Sequence, residues 1–227
     1  MYLCKNIVNM EHTAVFNFFT KLLFLLYGAV VFMSCTTQYH PQAGDLLFVV
    51  ADDTDFSQAI VQATAQKDSL EFSHVAIVAM QNGHPCVLEA SSRNGVVRTE
   101  WNDFMTQAPK IGNKPGIVVL RVGIPFPVKE ALDRAESHLG KAYDWLFLPD
   151  NGKIYCSELV YECFRKADGS PLFTARPMNF RDKDGHLPDF WKTLFEKAGE
   201  PIPEGVPGTN PNDLSKEDCL EEVYRFF

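Results

Sequence analysis

The sequence predicts one α+β domain preceded by an export signal, and three observations support this prediction. The chain has 227 residues, a length that suits a single domain with a sizeable core. Asn-Gly pairs at 82–83 and 94–95 each separate short apolar runs, which is the pattern of consecutive β-hairpins. Helical periodicity occurs on both sides of this hairpin region, and such segregation is typical of the α+β class.

The N-terminal segment has the pattern of a bacterial lipoprotein signal. Lys21 precedes an uncharged, mostly apolar run at 22–33, which is followed by Ser34 and Cys35. A bilayer span needs about 20 apolar residues, so this run has the length of a signal h-region instead. We therefore predict export to the cell envelope and a membrane anchor through lipidation at Cys35. The predicted organisation is a signal peptide at 1–35, a tether at 36–43 and a mature domain at 44–227.

Apolar runs and helical spacing predict the elements of the mature domain. The predicted strands are at 46–50, 72–80, 85–91, 96–98 and 117–122. The predicted helices are at 55–66, 128–139, 156–167 and 187–198, with a last short helix near 216–224. Gly140 and Gly199 follow two of these helices, in the position where glycine commonly ends a helix.

Composition excludes several classes of function. The formal net charge is -8 and no stretch is rich in Lys and Arg, so the sequence does not predict nucleic-acid binding. No Cys-x-x-Cys or His-x-x-x-His spacing indicates a metal site, and no cofactor is predicted. Cleavage before Cys35 would leave four unmodified cysteines, too few for a disulfide scaffold in a domain of this size. These four are Cys86, Cys156, Cys163 and Cys219.

The first hairpin predicts a contact between a histidine and a glutamate. If 82–83 forms a two-residue type I′ turn, His74 lies opposite Ser91 and Ala76 lies opposite Glu89. Residues two apart share a face, so His74 and Glu89 are diagonal neighbours. Such a glutamate can orient the imidazole, as the third member of a catalytic triad does. The alternatives are a histidine satisfied in the core or an interface, and a glutamate on an exposed strand face.

Cys156 is the candidate nucleophile because it lies in the first turn of a predicted helix, directly after a polar loop. The free N–H groups and positive dipole end of a helix N-terminus stabilise a thiolate and can hold an oxyanion. A cysteine in this position, facing a sheet that presents His and Glu, is typical of a cysteine hydrolase. The alternative interpretation, a small core residue, is the one we predict for Cys163.

A family pattern covers residues 44–213. It comprises GDLLF at 44–48, SHVAIV at 73–78, YDWLF at 143–147, YCSELVY at 155–161 and the Pro/Gly-rich stretch at 202–211. These segments resemble the YiiX/YebB-like permuted papain-fold cysteine hydrolases of the NlpC superfamily. The resemblance implies a circularly permuted papain-like fold, in which an antiparallel sheet packs against a helix carrying the cysteine at its N-terminus. Histidine and glutamate precede cysteine in this sequence, as the permuted group requires.

The resemblance implies Cys156 as nucleophile, His74 as base and Glu89 as the residue that orients it. Tyr155 and Tyr143 are further candidates, either to line the substrate site and assist the oxyanion or simply to pack. The predicted function is an exported cysteine amidohydrolase or peptidase that acts through a thioester on cell-wall peptide or N-acyl amide bonds. Two alternatives stay open: a lipid acylhydrolase or acyltransferase on the same fold, and a non-catalytic module that binds a ligand.

Overall fold

A six-stranded antiparallel sheet forms the centre of the structure, a computed structural model that describes residues 38–67 and 69–227. The strands are β1 (Leu46–Val50), β2 (Phe72–Gln81), β3 (His84–Ser91), β4 (Gly95–Glu100), β5 (Lys110–Ile111), β6 (Lys114–Pro115), β7 (Ile117–Val122), β8 (Arg176–Pro177), β9 (Pro207–Gly208) and β10 (Leu220–Arg225). The sheet has the order β10-β7-β1-β2-β3-β4, while β5–β6 and β8–β9 are separate two-stranded ladders.

Six helices accompany these strands in the described part of the chain. They are α1 (Asp55–Thr64), α2 (Trp101–Gln107), α3 (Val128–Ser137), α4 (Cys156–Cys163), α5 (Asp189–Ala198) and α6 (Pro211–Leu214). Residues from His40 to Phe227 form one compact unit. The predicted signal peptide and Cys35 lie outside the described residues. Within the described residues, no helix has the length and apolar character needed to cross a membrane.

The β2–β3 hairpin has the register that the sequence predicts. Asn82 and Gly83 both have positive φ angles, 51° and 81°, as a type I′ turn requires. The ladder pairs Gln81 with His84 at the turn and Ile77 with Leu88 further along. Continuing this register places the side chains at 74 and 89 on the same side of the hairpin.

Helix α4 is fixed against the middle of the sheet. It packs on β2 and β3, and its residues Leu159, Val160 and Cys163 are buried. These side chains belong to the same core cluster as Val75 and Ile77 of β2. Close packing of this kind leaves the helix little freedom to shift, so its first residue has a well-defined position relative to the sheet.

Two predicted helices differ from the structure. The helix predicted at 156–167 ends at Cys163, because Phe164 adopts extended backbone (φ -88°, ψ 107°) and buries its ring completely in the core. The helix predicted near 216–224 is wrong, since Leu220–Arg225 is the edge strand β10, which pairs with β7. Most of this strand is exposed, so its sequence lacks the apolar alternation that identifies a half-buried strand. Helices α2 and α6 and the short ladders β5–β6 and β8–β9 have no counterpart among the predicted elements.

Candidate active site

His74 and Glu89 make the contact that the hairpin register predicts. The imidazole Nε2 of His74 lies 2.8 Å from the carboxylate Oε2 of Glu89. The two side chains are 22% and 12% exposed, so the pair is largely screened from water but open on one side. A carboxylate in this position fixes the orientation of the ring and favours its protonated form.

Thr99 completes the surroundings of Glu89, and sequence reasoning missed it. Its hydroxyl donates a hydrogen bond of 2.6 Å to Oε1 of Glu89, so both carboxylate oxygens are engaged. Burial acts to raise the pKa of Glu89, but the hydrogen bonds to His74 and Thr99 outweigh it and hold the pKa below its ordinary value. In the β3–β4 ladder Glu89 pairs with Val97, which puts Thr99 on the same face. No signal in the sequence indicates this contact, because Ser91 pairs with Gly95 across a three-residue loop, one residue longer than the turn that an Asn-Gly pair predicts.

Cys156 lies at the N-terminus of α4 and contacts His74. The Cys156 residue is only 3% exposed, and its side chain lies close enough to the His74 imidazole to raise the pKa of that ring. Since Nε2 of His74 faces Glu89, the ring atom left for the thiol is Nδ1. The β1–β2 ladder shifts register between Val49 and Val50, whose partners are His74 and Phe72. Bulges of this kind redirect neighbouring side chains, and this one lies directly at the catalytic candidate.

The neighbours of His74 favour its charged form. Burial acts to lower the pKa of the His74 imidazole, but the hydrogen bonds and negative charges of Cys156 and Glu89 outweigh burial and raise it to about 10. The His74 ring is therefore an imidazolium at neutral pH. This is the charge state in which a Cys–His pair acts as nucleophile and proton donor.

Tyr143 presents its hydroxyl to the same sulfur atom. Its side chain is buried, and its hydroxyl lies close enough to Cys156 for the two groups to interact. Burial and the negative charge of Cys156 raise the pKa of Tyr143 well above its ordinary value, so the hydroxyl keeps its proton and can donate. An isolated parallel bridge between Tyr143 and Ile154 holds the backbone of this segment next to the start of α4.

Tyr155 both lines a pocket beside Cys156 and fixes the start of the helix. Its hydroxyl accepts a hydrogen bond of 3.2 Å from the backbone N–H of Thr209, and its ring packs on Phe147. Its own backbone N–H donates to the Glu158 carboxylate at 3.2 Å, which caps the first turn of α4. Burial raises the pKa of Glu158 to about 8. These contacts fix the residue that precedes Cys156.

An apolar pocket opens beside Cys156. Its cavity volume is about 50 Å³, within an empty space of about 490 Å³ that includes open solvent, and most of its lining is apolar. Cys156, Tyr143 and Tyr155 line it together with residues of α1, α5, the segment before α4, the loop before α5 and the segment at 209–211. Its further apolar members are Ile60, Ala63, Phe147, Met178, Phe180, Trp191 and Pro211.

A polar groove lies on the other side of the candidate pair. It has an empty volume of about 820 Å³ including open solvent, and hydroxyl, amide and charged groups contribute much of its lining. His74, Glu89 and Tyr143 line this groove, whereas Cys156 lines the apolar pocket. The groove and the pocket therefore meet at Tyr143, with the histidine facing one and the cysteine facing the other.

The other described cysteines are free thiols without a place in this site. Cys163 is completely buried in the core, as predicted, and burial raises its pKa to about 12. Cys86 is buried in β3, and Cys219 is partly exposed before β10. Neither is joined to another cysteine, so the described domain is stabilised without a disulfide.

One group of possible metal ligands occurs among the described residues, in the loop at 182–186. Ligand atoms of Asp182, Asp184 and His186 lie within 4.8 Å of one another, and two of the three residues are exposed. The Asp182 carboxylate already accepts hydrogen bonds from the backbone N–H groups of Asp184 and His186. The proximity of these three residues is therefore explained by the hydrogen bonds that stabilise the loop.

The family of the chain follows from a comparison with known protein families. A family model described as "Permuted papain-like amidase enzyme, YaeF/YiiX, C92 family" matches residues 40–224. The chain belongs to this family. Membership confirms the predicted permuted papain-like α+β fold and assigns the chain to the cysteine hydrolases.

Two relatives agree with this assignment. The chain is 29% identical over 168 residues to the protein YiiX of Escherichia coli (strain K12), which covers 73% of this chain and 77% of that protein. It also matches the crystal structure of YiiX from Escherichia coli O157:H7, described as a metalloprotein, with a TM-score of 0.67 and 26% identity. That match covers 82% of this chain and 98% of the solved one, so the fold is shared over nearly the whole described domain.

Proposed function

We propose that this member of the C92 family hydrolyses the amide bond of N-acyl substrates, with Cys156, His74 and Glu89 as its catalytic triad. The observation that carries the proposal is the division of the site. An apolar pocket reaches the sulfur of Cys156, while a polar groove reaches the imidazole of His74. A substrate with an apolar acyl side and a polar amine side matches both surfaces.

In the first half of the reaction, the Cys156 thiolate attacks the amide carbonyl and forms a tetrahedral intermediate. Collapse of that intermediate breaks the C–N bond, and His74 gives its proton to the leaving nitrogen. The amine departs, and the acyl group stays on Cys156 as a thioester. Glu89 holds the imidazole in position throughout, through the contact of 2.8 Å.

In the second half, water attacks the thioester while His74 accepts one of its protons. The C–S bond breaks, which releases the carboxylic acid and restores the Cys156 thiolate beside the imidazolium. The net reaction consumes one amide and one water and yields one acid and one amine. His74 makes all proton transfers, since the other titratable neighbour of Cys156, Tyr143, keeps its proton.

The negative oxygen of both tetrahedral intermediates needs hydrogen-bond donors. The first N–H groups of an α-helix have no partner inside the helix, and Cys156 is the first residue of α4. The Tyr143 hydroxyl, which faces the same sulfur, supplies a second donor. We assign the oxyanion to these two groups, since one backbone and one side-chain donor form an adequate oxyanion hole.

The direction of attack decides which part of the substrate enters which cavity. The acyl carbon becomes bonded to Cys156, so the acyl chain extends along the surface that Cys156 lines, which is the apolar pocket. Cell-wall peptides carry charged and amide groups, whose transfer into such a lining is unfavourable without partners. The geometry therefore supports a hydrocarbon acyl group better than a peptide on this side.

Narrowing the pocket should reduce the use of long acyl chains selectively. Ala63 lies on α1 and lines the pocket, so Ala63→Phe places a ring where the acyl chain would lie. We expect kcat/KM for decanoyl-4-nitroanilide to fall about tenfold or more, since several buried CH₂ groups lose their contact at about 0.8 kcal/mol each. The turnover of acetyl-4-nitroanilide, which has no long chain, should change less than twofold. Release of 4-nitroaniline measures both rates.

Ala65→Phe is the matched control for this experiment. Ala65 is exposed just beyond the end of α1, and the same enlargement there should leave the ratio of the two rates unchanged. An equal loss of both substrates in Ala63→Phe, with the fold intact by circular dichroism, would contradict an acyl-binding role for the pocket.

Export and lipidation at Cys35 stay predictions from the sequence. Their support is the short apolar run at 22–33 between Lys21 and Ser34. A lipid anchor at Cys35 would hold the domain next to a membrane, where acylated substrates are concentrated. This placement suits the proposed substrate class.

A further inference from the structure

We propose that Arg93 binds a carboxylate on the leaving amine, so that the substrates of this enzyme are N-acyl amino acids. This inference rests on the proposed function and specifies the half of the substrate that the apolar pocket does not contact. It starts from the groove beside His74 and from the charged side chains that line it.

The chemistry places the leaving amine in the polar groove. His74 must give its proton to the nitrogen as the C–N bond breaks, so that nitrogen lies within hydrogen-bond reach of the imidazole. His74 lines the groove, and the acyl side of the bond is directed into the pocket beside Cys156. Substituents on the nitrogen therefore extend along the groove.

Arg93 lines this groove together with His74. It belongs to the turn between β3 and β4, where its backbone N–H donates to the Ser91 hydroxyl at 3.3 Å. Ser91 and His74 line the same groove, and Arg93 follows Ser91 by two residues. An arginine side chain is long enough to cover the space next to a nitrogen held there.

Arg93 is available for a ligand. Its side chain is exposed and, in the described residues, no carboxylate lies within ion-pair distance of it. Arginine binds carboxylates through two parallel N–H···O bonds, which gives geometric specificity as well as affinity. Arg93 is exposed and has no ion-pair partner in the part of the chain that the structure describes, and it lines the groove that receives the leaving amine. It can therefore bind an anionic group on that amine.

The remaining charges of the groove agree with a zwitterionic product. Glu89 is occupied by His74 and Thr99. Asp52, the other carboxylate of the groove, accepts hydrogen bonds from the backbone and hydroxyl of Thr54. An α-amino acid leaves as an ammonium and a carboxylate, and the groove offers Asp52 and Arg93 for these two charges. A neutral amine would leave Arg93 without a role.

The test compares two substrates that differ only in this charge. N-decanoyl-alanine and N-decanoyl-alaninamide share the acyl chain and the scissile bond, and release of alanine or alaninamide is measured by mass spectrometry. We expect the full-length enzyme to favour the acid about tenfold or more in kcat/KM, as hydrogen bonds to charged groups commonly allow. Arg93→Gln should bring the ratio of the two values close to one. Lys114→Gln, which removes an exposed positive charge outside the groove, should keep the ratio of the unmodified enzyme.

Two results would overturn the inference: equal use of acid and amide by the unmodified enzyme, or an unchanged ratio in Arg93→Gln. If neither compound is hydrolysed, binding to the Cys156→Ala variant is measured by calorimetry. Tighter binding of the acid, lost on adding Arg93→Gln, would then support the carboxylate site although amide hydrolysis had failed. Equal binding of acid and amide would reject the site.

Discussion

Replacing Cys156 with alanine should reduce kcat for amide hydrolysis by about 10⁴-fold or more, which is the scale of effect seen when a catalytic nucleophile is removed. The thiolate is the atom that bonds to the substrate, and its loss leaves only the oxyanion donors and the binding surfaces. Alanine fits the site, since Cys156 is a small buried side chain at the start of α4. The measurement is single-turnover hydrolysis of decanoyl-4-nitroanilide.

The matched control for this variant is Cys219→Ala. Cys219 is a free, partly exposed thiol at the far edge of the sheet, so its replacement should leave the rate within twofold of the unmodified enzyme. If Cys156→Ala kept a tenth or more of the activity while folded, Cys156 would not be the nucleophile. A trapped decanoyl thioester, found by mass spectrometry on Cys156 in the unmodified enzyme, would support the same assignment independently.

Replacing Glu89 with glutamine should lower kcat/KM by about 100-fold or more and displace the pH profile. Glutamine keeps the shape of the side chain but removes the charge and offers a different set of hydrogen bonds to the imidazole. A carboxylate-to-amide change in the same role of a serine protease costs about 10⁴-fold. Because glutamine has the same size and shape as glutamate, a loss of activity in this variant is caused by the lost charge and not by a loss of packing.

The direction of the pH effect follows from the contacts of His74. The Glu89 carboxylate contributes to raising the pKa of His74 to about 10, because it stabilises the charged ring. Without that charge the imidazolium loses its proton at lower pH, so the alkaline limb of kcat/KM moves to lower pH. Glu100→Gln, an exposed change on the neighbouring strand β4, should leave the profile in place. An alkaline limb that stays fixed in Glu89→Gln would remove Glu89 from the triad.

The contact between His74 and Glu89 was predictable because local sequence determines it. Asn82 and Gly83 are residue types that accept positive φ, so they select the two-residue turn and with it the whole register of β2 and β3. A two-residue turn converts sequence spacing directly into spatial contact, and no information from distant residues is needed.

The second turn does not follow this rule. A two-residue turn at Asn94 and Gly95 would put Thr99 on the opposite face from Glu89, whereas the ladder pairs Ser91 with Gly95 across a three-residue loop.

The approach of Cys156 to His74 was predictable only through the family resemblance. The two residues are 82 positions apart in the sequence, and their contact depends on the bulge in β1–β2 and on the path of the chain before α4. Neither feature has a local pattern in the sequence. The resemblance predicts the contact between Cys156 and His74, because proteins that share a fold also share its long-range contacts.

The apolar pocket and the polar groove could not be predicted from the sequence. The pocket combines Ile60 of α1, Phe147 before α4 and Trp191 of α5, which come from three separate segments. Their apolar side chains indicate burial, but the same residue types occur in a packed core and in the wall of an apolar pocket. Only the packed structure shows that these residues leave a cavity beside the sulfur.

The measurement that tests the central claim most directly is a pH series of iodoacetamide labelling, read by peptide mass spectrometry on the full-length protein and its His74→Ala variant. We predict that Cys156 of the unmodified protein is labelled selectively near pH 6, ahead of Cys86, Cys163 and Cys219. The labelling rate at Cys156 should fall about tenfold or more in His74→Ala, because the thiolate loses its imidazolium partner. Equal, slow labelling of Cys156 in both proteins would contradict a thiolate–imidazolium pair and leave the cavity as a binding site only.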